Sequence, residues 1–139
     1  MRFITVLTLL FMSGVSWSDE LAVSRLFSDE SEVTHFTDDS LTWNTLNTPD
    51  GNLPVTDLLP AEEIGFLRLP STYRSDWHPA PRKQYVMVLI GSMEVEAGDG
   101  EKRVFRPGSV LLVTDTEGRG HKTNVVGGEE VLLVWVPIP

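Results

Sequence analysis

Short apolar runs separated by glycine and proline turns constrain the fold of this chain more than any other feature. They begin at Glu32 and are punctuated by sequences such as Gly98-Asp99-Gly100 and Arg106-Pro107-Gly108. Proline fixes φ and glycine allows a positive φ, so these sequences turn the chain sharply. Apolar residues at helical spacing are nearly absent. The pattern predicts an all-β sandwich or barrel.

The predicted strands differ in how strongly their sequences indicate them. Residues 84–90 are an almost unbroken apolar run, which is typical of a strand covered on both faces. Residues 38–40 predict a turn and residues 47–60 a loop, because they are rich in Asp, Asn, Gly and Pro. The remaining runs read as strands at 33–37, 41–43, 64–69, 93–96, 103–105, 109–113, 125–126 and 131–136.

The N-terminus has the pattern of a secretory signal peptide. A positive start at Met1-Arg2 precedes an apolar stretch, and small residues stand at Ser16 and Ser18 before Asp19. We expect cleavage after Ser18 and an exported protein, periplasmic or extracellular. The stretch is shorter than the ~20 apolar residues that span a bilayer, so no stable membrane anchor is expected. Residues 19–31 then predict a flexible, polar N-terminal arm, and residues 32–139 one β-barrel domain.

Composition excludes several classes of function. The chain has no cysteine, which removes thiolate nucleophiles, thiolate metal sites and disulfides. Its 20 acidic and 11 basic residues give a net charge of −9. Such a chain repels phosphate backbones, so nucleic acid is not an expected partner. We expect a small-molecule ligand or substrate instead.

One group of polar residues has the spacing of a site. Side chains at even separations along an extended segment share a face, so His78, Ala80 and Gln84 point the same way. That face continues inward as alternate residues of the apolar run, which places His78 and Gln84 at the mouth of a barrel. His121 follows the glycines of Gly118-Arg119-Gly120, which allow the chain a close approach.

These residues resemble the two motifs of the cupin family. Its first motif runs His-x-His-x3-Glu-x6-Gly, and here His78-Pro79-Ala80 is followed by Gln84 and, six residues later, by Gly91. The turn Pro107-Gly108, with a later His121 and Asn124, resembles the second motif. The resemblance covers residues 64 to 136. It implies a cupin-type jelly-roll β-barrel with a metal or small-molecule site at its mouth.

The departures from the motifs weaken the implied metal site. Ala80 replaces the second histidine, Gln84 replaces the glutamate, and His121 lies two positions further from Gly108 than usual. The resemblance therefore implies a divalent metal ion held by His78, Gln84 and His121, with no anionic ligand and reduced affinity. An anion could come from Asp115, Asp76, Glu117 or a hydroxide.

Each candidate residue also has a structural interpretation. Gln84 could brace His78 rather than bind an ion, and Asp115 could cap its loop or orient His121. Trp77, Tyr73 and Asp115 are predicted to bind the ligand, although Trp and Tyr often pack as core or rim. His35 is predicted to be an ordinary half-buried strand residue.

Three functions remain open from the sequence. The first is an enzyme acting on a small organic or sugar-derived acid, either a metal-dependent lyase, isomerase or dioxygenase, or a metal-free enzyme with His78 or His121 as general base. The second is a non-catalytic module that binds a metal or small ligand, and the third a barrel with a vestigial site. An exposed strand edge would favour a homodimer.

Overall fold

The computed structural model describes residues 18–139, and all of its regular elements are β-strands. None of the described residues forms a helix that could cross a membrane. The predicted signal peptide, apart from Ser18, lies outside the described residues. The all-β prediction is confirmed. The strands are β1 (Glu20–Ser28), β2 (Thr34–Thr42), β3 (Asn44–Thr48), β4 (Gly51–Val55), β5 (Gly65–Leu69), β6 (Gln84–Ile90), β7 (Ser92–Glu96), β8 (Lys102–Phe105), β9 (Val110–Val113), β10 (Lys122–Val126) and β11 (Val131–Pro137).

The pairing of β5 to β11 is nested, as in a jelly roll. Strand β5 pairs with β11, the segment 74–78 pairs with β10 and the residue before it through two isolated bridges, β6 pairs with β9, and β7 pairs with β8. The first segment of this part of the chain therefore pairs with the last, the second with the second-last, and the two innermost strands with each other. The result is a six-stranded sheet in the order β2-β1-β9-β6-β11-β5 and a three-stranded sheet in the order β10-β7-β8. The jelly-roll prediction is confirmed by this pairing.

The core lies between the two sheets because side chains alternate along each strand. Val86 and Val88 of β6 face inward together with Leu111 of β9, and all three are buried. Val95 of β7 and Val125 of β10 are buried in the same cluster. A cavity lies among these core residues at the end of the barrel where β6 begins with Gln84.

Residues 19–31 do not form the flexible arm predicted from their polar composition. Most of them form β1, which pairs antiparallel with β2 and parallel with β9. Val23 and Leu26 of β1 are buried, and Leu26 is fully so. Burial of these two side chains outweighs the polar residues around them.

Two predicted breaks in the strands are also wrong. The expected turn at 38–40 lies inside β2, where Asp39 forms an ion pair with Arg25 at 2.8 Å and Asp38 pairs with Arg103. Residues 47–55 of the expected loop at 47–60 belong to the hairpin of β3 and β4, whereas residues 56–60 form no strand. Gly51, the first residue of β4, has a positive φ of 130°. Ion pairs with distant arginines make the Asp-rich segment compatible with a strand.

Candidate functional site

Two histidines far apart in sequence are brought together by one backbone bridge. The N–H of His78 donates to the carbonyl of His121, and the N–H of His121 donates to the carbonyl of His78, both at 3.0 Å. Gly120 allows this approach, because a Cβ there would lie 2.0 Å from the His78 carbonyl oxygen. The backbone at Gly120 also has a positive φ of 75°. Glycine is therefore required for His78 and His121 to meet.

The ring of His121 is held by a buried carboxylate. Asp115 is fully buried, and its Oδ2 lies 2.6 Å from Nδ1 of His121. Because an ionised carboxylate only accepts hydrogen bonds, Nδ1 carries the proton and donates it. In the neutral ring this leaves Nε2 as a free lone pair. Of the two roles considered from the sequence, Asp115 therefore has that of orienting His121.

His78 is held in the same tautomer by the backbone. Its Nδ1 donates to the carbonyl of Asp76 at 2.9 Å, which leaves Nε2 free. The centroids of the His78 and His121 rings are 4.7 Å apart, with the planes inclined by 52°. Both rings line one cavity. Two imidazole lone pairs are therefore available at neighbouring positions.

Gln84 adds a third lone-pair atom at the same cavity. It is the first residue of β6, pairs with Val113 on one side and Pro137 on the other, and is 8% exposed. Its Oε1 is buried and has no hydrogen-bond partner among the described residues. A buried amide oxygen without a partner costs stability. This favours Gln84 as a ligand of a bound ion over the alternative that it braces a neighbour, because its side chain forms no bracing hydrogen bond.

The cavity is small and mostly apolar. Its volume is about 120 Å³. Tyr73 and Thr123 line it beside the two histidines and Gln84. It can hold an ion with a few ligand atoms but not a drug-sized molecule, which needs about 300 Å³ or more. The apolar wall includes Leu69, Val86, Met93, Val95, Leu111 and Leu133.

Of the two aromatic residues predicted to line the pocket, Tyr73 does so and Trp77 does not. Trp77 precedes His78, so in an extended segment its side chain points the other way. Its ring is instead approached by the guanidinium of Arg119, 3.8 Å from the centroid, and by the amine of Lys122 at 5.0 Å. Trp77 is therefore not among the residues that line this cavity.

Trp135 is a cavity residue that the sequence did not indicate. It lies on β11 opposite Gly65 of β5, and it lines both this cavity and an outer cavity of about 550 Å³. A Cβ at Gly65 would lie 1.8 Å from the indole Nε1 of Trp135. In the sequence, a glycine at the start of an apolar strand indicates only weakly that a large side chain packs there. The indole of Trp135 reaches Gly65 only because β5 and β11 pair. Trp135 forms the wall between the two cavities.

His35 lies outside this site and is not an ordinary strand residue. Its Nε2 is 2.8 Å from Asp29 and its Nδ1 is 2.8 Å from Asp99. The hydrogen bond to Asp29, and secondly that to Asp99, raises the pKa of His35 above its ordinary 6.5. The two carboxylates lie against opposite sides of the ring, so they cannot converge with it on one ion.

The cavity's donor set is neutral. Across residues 18–139, no three His, Asp, Glu or Cys side chains are grouped so as to hold a metal ion. Asp115 is engaged with Nδ1 of His121, so it orients a candidate ligand and adds no charge at the cavity. The atoms available to an ion are Nε2 of His78, Nε2 of His121 and Oε1 of Gln84.

Solved structures of similar fold include cupin proteins. The cupin domain of Cnp3 from Schizosaccharomyces pombe is 16% identical, with 88% of this chain and 86% of that chain covered and a TM-score of 0.44. An ethanolamine utilization protein q from Salmonella typhimurium is also 16% identical, with 88% and 98% covered and a TM-score of 0.45. The 4-keto-6-deoxy sugar epimerase NovW from Streptomyces spheroides is 14% identical, with 81% and 67% covered and a TM-score of 0.42. No protein-family model and no curated protein matches the chain.

Proposed function

We propose that this is an exported protein that binds a divalent metal ion through His78, Gln84 and His121, together with a small organic ligand. The observation that supports it is the set of three lone-pair atoms at one cavity. Two imidazoles have their Nδ1 protons engaged elsewhere, and Gln84 presents a buried Oε1 without a partner. Lone pairs that face no hydrogen-bond donor favour the binding of a cation.

The donor set fits a transition metal better than Ca²⁺ or Mg²⁺. Imidazole suits Zn, Cu, Fe and Ni, whereas the harder cations prefer all-oxygen sites. Three neutral ligands leave the positive charge of the ion uncompensated. We therefore expect modest affinity and a preference for an anionic small ligand, such as a carboxylate, at the open positions. A bound ion would supply Lewis acidity toward an oxygen of that ligand.

The residues around the donors would determine what reaches them. Asp115 and the carbonyl of Asp76 fix the two imidazoles, so these side chains lose little conformational freedom when an ion binds. The apolar walls limit water, and the cavity of about 120 Å³ limits the ligand to a few heavy atoms. A carboxylic or hydroxy acid of a few carbons is the class that fits.

The buried pair of Asp115 and His121 supports a second candidate, acid–base chemistry without a metal. A histidine whose Nδ1 donates to a carboxylate presents Nε2 as a general base. In that case His121 would remove a proton from a small ligand in the cavity. Incubation with short keto acids in D₂O tests this by NMR, because exchange of the acidic proton should require His121.

Metal binding is tested by titration with Co²⁺, followed by its visible absorption and by calorimetry. We expect one ion per chain. His78→Ala, His121→Ala and Gln84→Ala should each weaken binding by about tenfold or more, because each removes a ligand. Gln84→Glu should strengthen it, because a carboxylate compensates the charge of the ion.

The third histidine provides a matched control. His35→Ala removes the same side chain at a distance from the cavity and should leave Co²⁺ binding unchanged. Equal loss in His35→Ala and His78→Ala would contradict the site, as would a Gln84→Glu variant that binds more weakly than wild type.

Export rests on residues 1–18 and has its own test. The mass of the protein recovered outside the cytoplasm should correspond to a chain beginning at Asp19. Recovery of an uncleaved chain in the cytoplasm would contradict it.

A further inference from the structure

The hairpin of β3 and β4 is separate from the rest of the fold. The two strands form a sheet of their own and pair with no other strand of residues 18–139. Leu46 and Leu53 lie directly opposite each other and are 48% and 53% exposed. An isolated two-stranded hairpin is only marginally stable in water, and an exposed leucine pair does not stabilise it. The hairpin has the features of an arm that packs against something else.

The outer face of the six-stranded sheet is unusually apolar. Phe66, Val134, Met87 and Val110 are paired in one row across β5, β11, β6 and β9. Strand alternation places them on the face opposite the core. Phe66, at the edge, is 67% exposed. Val134, in the middle of the row, is only 8% exposed, and Leu89, at a register shift between β6 and β11, is 47% exposed. We refer to these five residues as the outer apolar face.

The sequence of β6 indicates that this face is normally covered. Its near-continuous apolar run is typical of a strand buried on both sides. The inner residues Val86 and Val88 are buried, but the outer Met87 is only half-buried and Leu89 is exposed. Something beyond the single chain would complete the burial.

We propose that the protein is a homodimer in which the β3–β4 hairpin of each protomer packs on the outer apolar face of its partner. Both apolar surfaces belong to the same chain, so a two-fold arrangement matches each arm to a face without any further partner. Each large apolar side chain removes on the order of 100 Å² from water. Leu46, Leu53, Phe66 and Leu89 thus supply about half of the ~800 Å² per partner that a stable interface buries. The half-buried residues of the face and the hairpin backbone can supply the rest.

The position of the hairpin in the chain agrees with this arrangement. It lies between β2 and β5, which are the two opposite edges of the six-stranded sheet. The connecting segment therefore links the two sides of the face. Its Leu58 and Ile64 are exposed and do not cover the face themselves.

The oligomeric state is tested by sedimentation equilibrium of the intact chain. Wild type should be dimeric, and Leu53→Asp should be monomeric with an unchanged circular dichroism spectrum, because Leu53 is exposed within one chain. Lys102→Ser, at an exposed position of β8 in the other sheet, should remain dimeric. A wild type that stays monomeric at all concentrations overturns the proposal.

The contact itself is tested with a spin label, because the absence of cysteine makes labelling specific. Leu53→Cys protein that carries the nitroxide is mixed with ¹⁵N-labelled protein that carries no nitroxide. We expect amide signals of Phe66, Met87 and Val110 in the ¹⁵N protein to broaden, whereas a label at Lys102→Cys should not broaden them. If these signals broaden only in a separate sample, in which the spin-labelled chain itself carries ¹⁵N and is diluted with unlabelled protein, the hairpin folds onto its own sheet and the exchange is overturned. Broadening confined to β5 would indicate an edge-to-edge dimer and would overturn it too.

Discussion

Asp115 connects the fold of one loop to the chemistry of one ring. It is fully buried, one oxygen accepts from Nδ1 of His121, and the other has no partner among the described residues. A buried carboxylate with a single hydrogen bond is costly, so its retention needs a compensating role. Fixing the tautomer of His121 is such a role, because only the ring with Nδ1 protonated offers Nε2 to the cavity.

Asp115→Asn tests this positioning role. The asparagine is nearly the same size, but its amide N–H can donate to Nδ1 and so move the ring proton to Nε2. We expect Co²⁺ affinity to fall by about 10- to 100-fold, the range typical of residues that orient metal ligands. The tautomer is read directly from the ¹⁵N shifts of the His121 ring.

A purely structural role for Asp115 would give a different result. In that case the melting temperature would change, while the His121 ring shifts and the Co²⁺ affinity would stay as in wild type. Asp76→Asn serves as the control, because His78 uses the carbonyl of Asp76 and not its carboxylate.

The strands that the sequence predicts best are those whose burial follows from their own residues rather than from distant ones. Strands β6, β9 and β11 are continuous apolar runs between turns, and their positions follow from the sequence. Strand β1 does not, because its two buried side chains stand among polar residues, and neither does the middle of β2, because Asp38 and Asp39 become compatible with a sheet only through arginines elsewhere. Arg103, which pairs with Asp38 of β2, lies on β8 in the other sheet. Such pairings depend on the tertiary fold.

The same distinction applies to the site. The spacing of His78 and Gln84, with the glycines before His121, was enough to predict that these residues meet. The orientation of Trp77 and the involvement of Trp135 were not predictable, because both depend on the path of neighbouring strands. Metal binding by the meeting residues remains a prediction.

The contact between β5 and β11 at the cavity gives a prediction at the level of paired strands. Gly65→Ala would place a Cβ 1.8 Å from Nε1 of Trp135, so the indole must move. We expect a loss of about 1–3 kcal/mol in the free energy of unfolding, as for overpacked cores, and a change in tryptophan fluorescence. Chemical denaturation measures the free energy of unfolding.

A double-mutant cycle identifies the cause. In a Trp135→Phe background the indole Nε1 is gone, so Gly65→Ala should cost much less than in wild type. Equal costs in both backgrounds would mean that the alanine acts on the backbone of β5 rather than on Trp135.

The two sheets of the whole molecule are joined by a charged cluster away from the cavity. His35 of β2, in the six-stranded sheet, lies between Asp29 and Asp99, and Asp99 belongs to the turn between β7 and β8 of the other sheet. The backbone N–H of Asp99 also donates to the carbonyl of Thr34 at 3.1 Å. The pKa of each aspartate is lowered, mainly by backbone N–H groups, of Val33 for Asp29 and of Glu101 for Asp99. With both carboxylates ionised, the cluster favours a protonated His35.

This cluster predicts how the stability of the molecule depends on pH. Because the pKa of His35 is raised in the folded state, its contribution is fully present below pH 6.5 and is lost as the pH rises through the raised pKa. Thermal unfolding across that range should show a fall of a few degrees in melting temperature for wild type. His35→Gln cannot become charged, so its melting temperature should fall less over the same interval. His78 and His121 are present in both proteins, and the difference between the two curves therefore isolates His35. Parallel curves would show that the link between the sheets does not depend on the charge of this histidine.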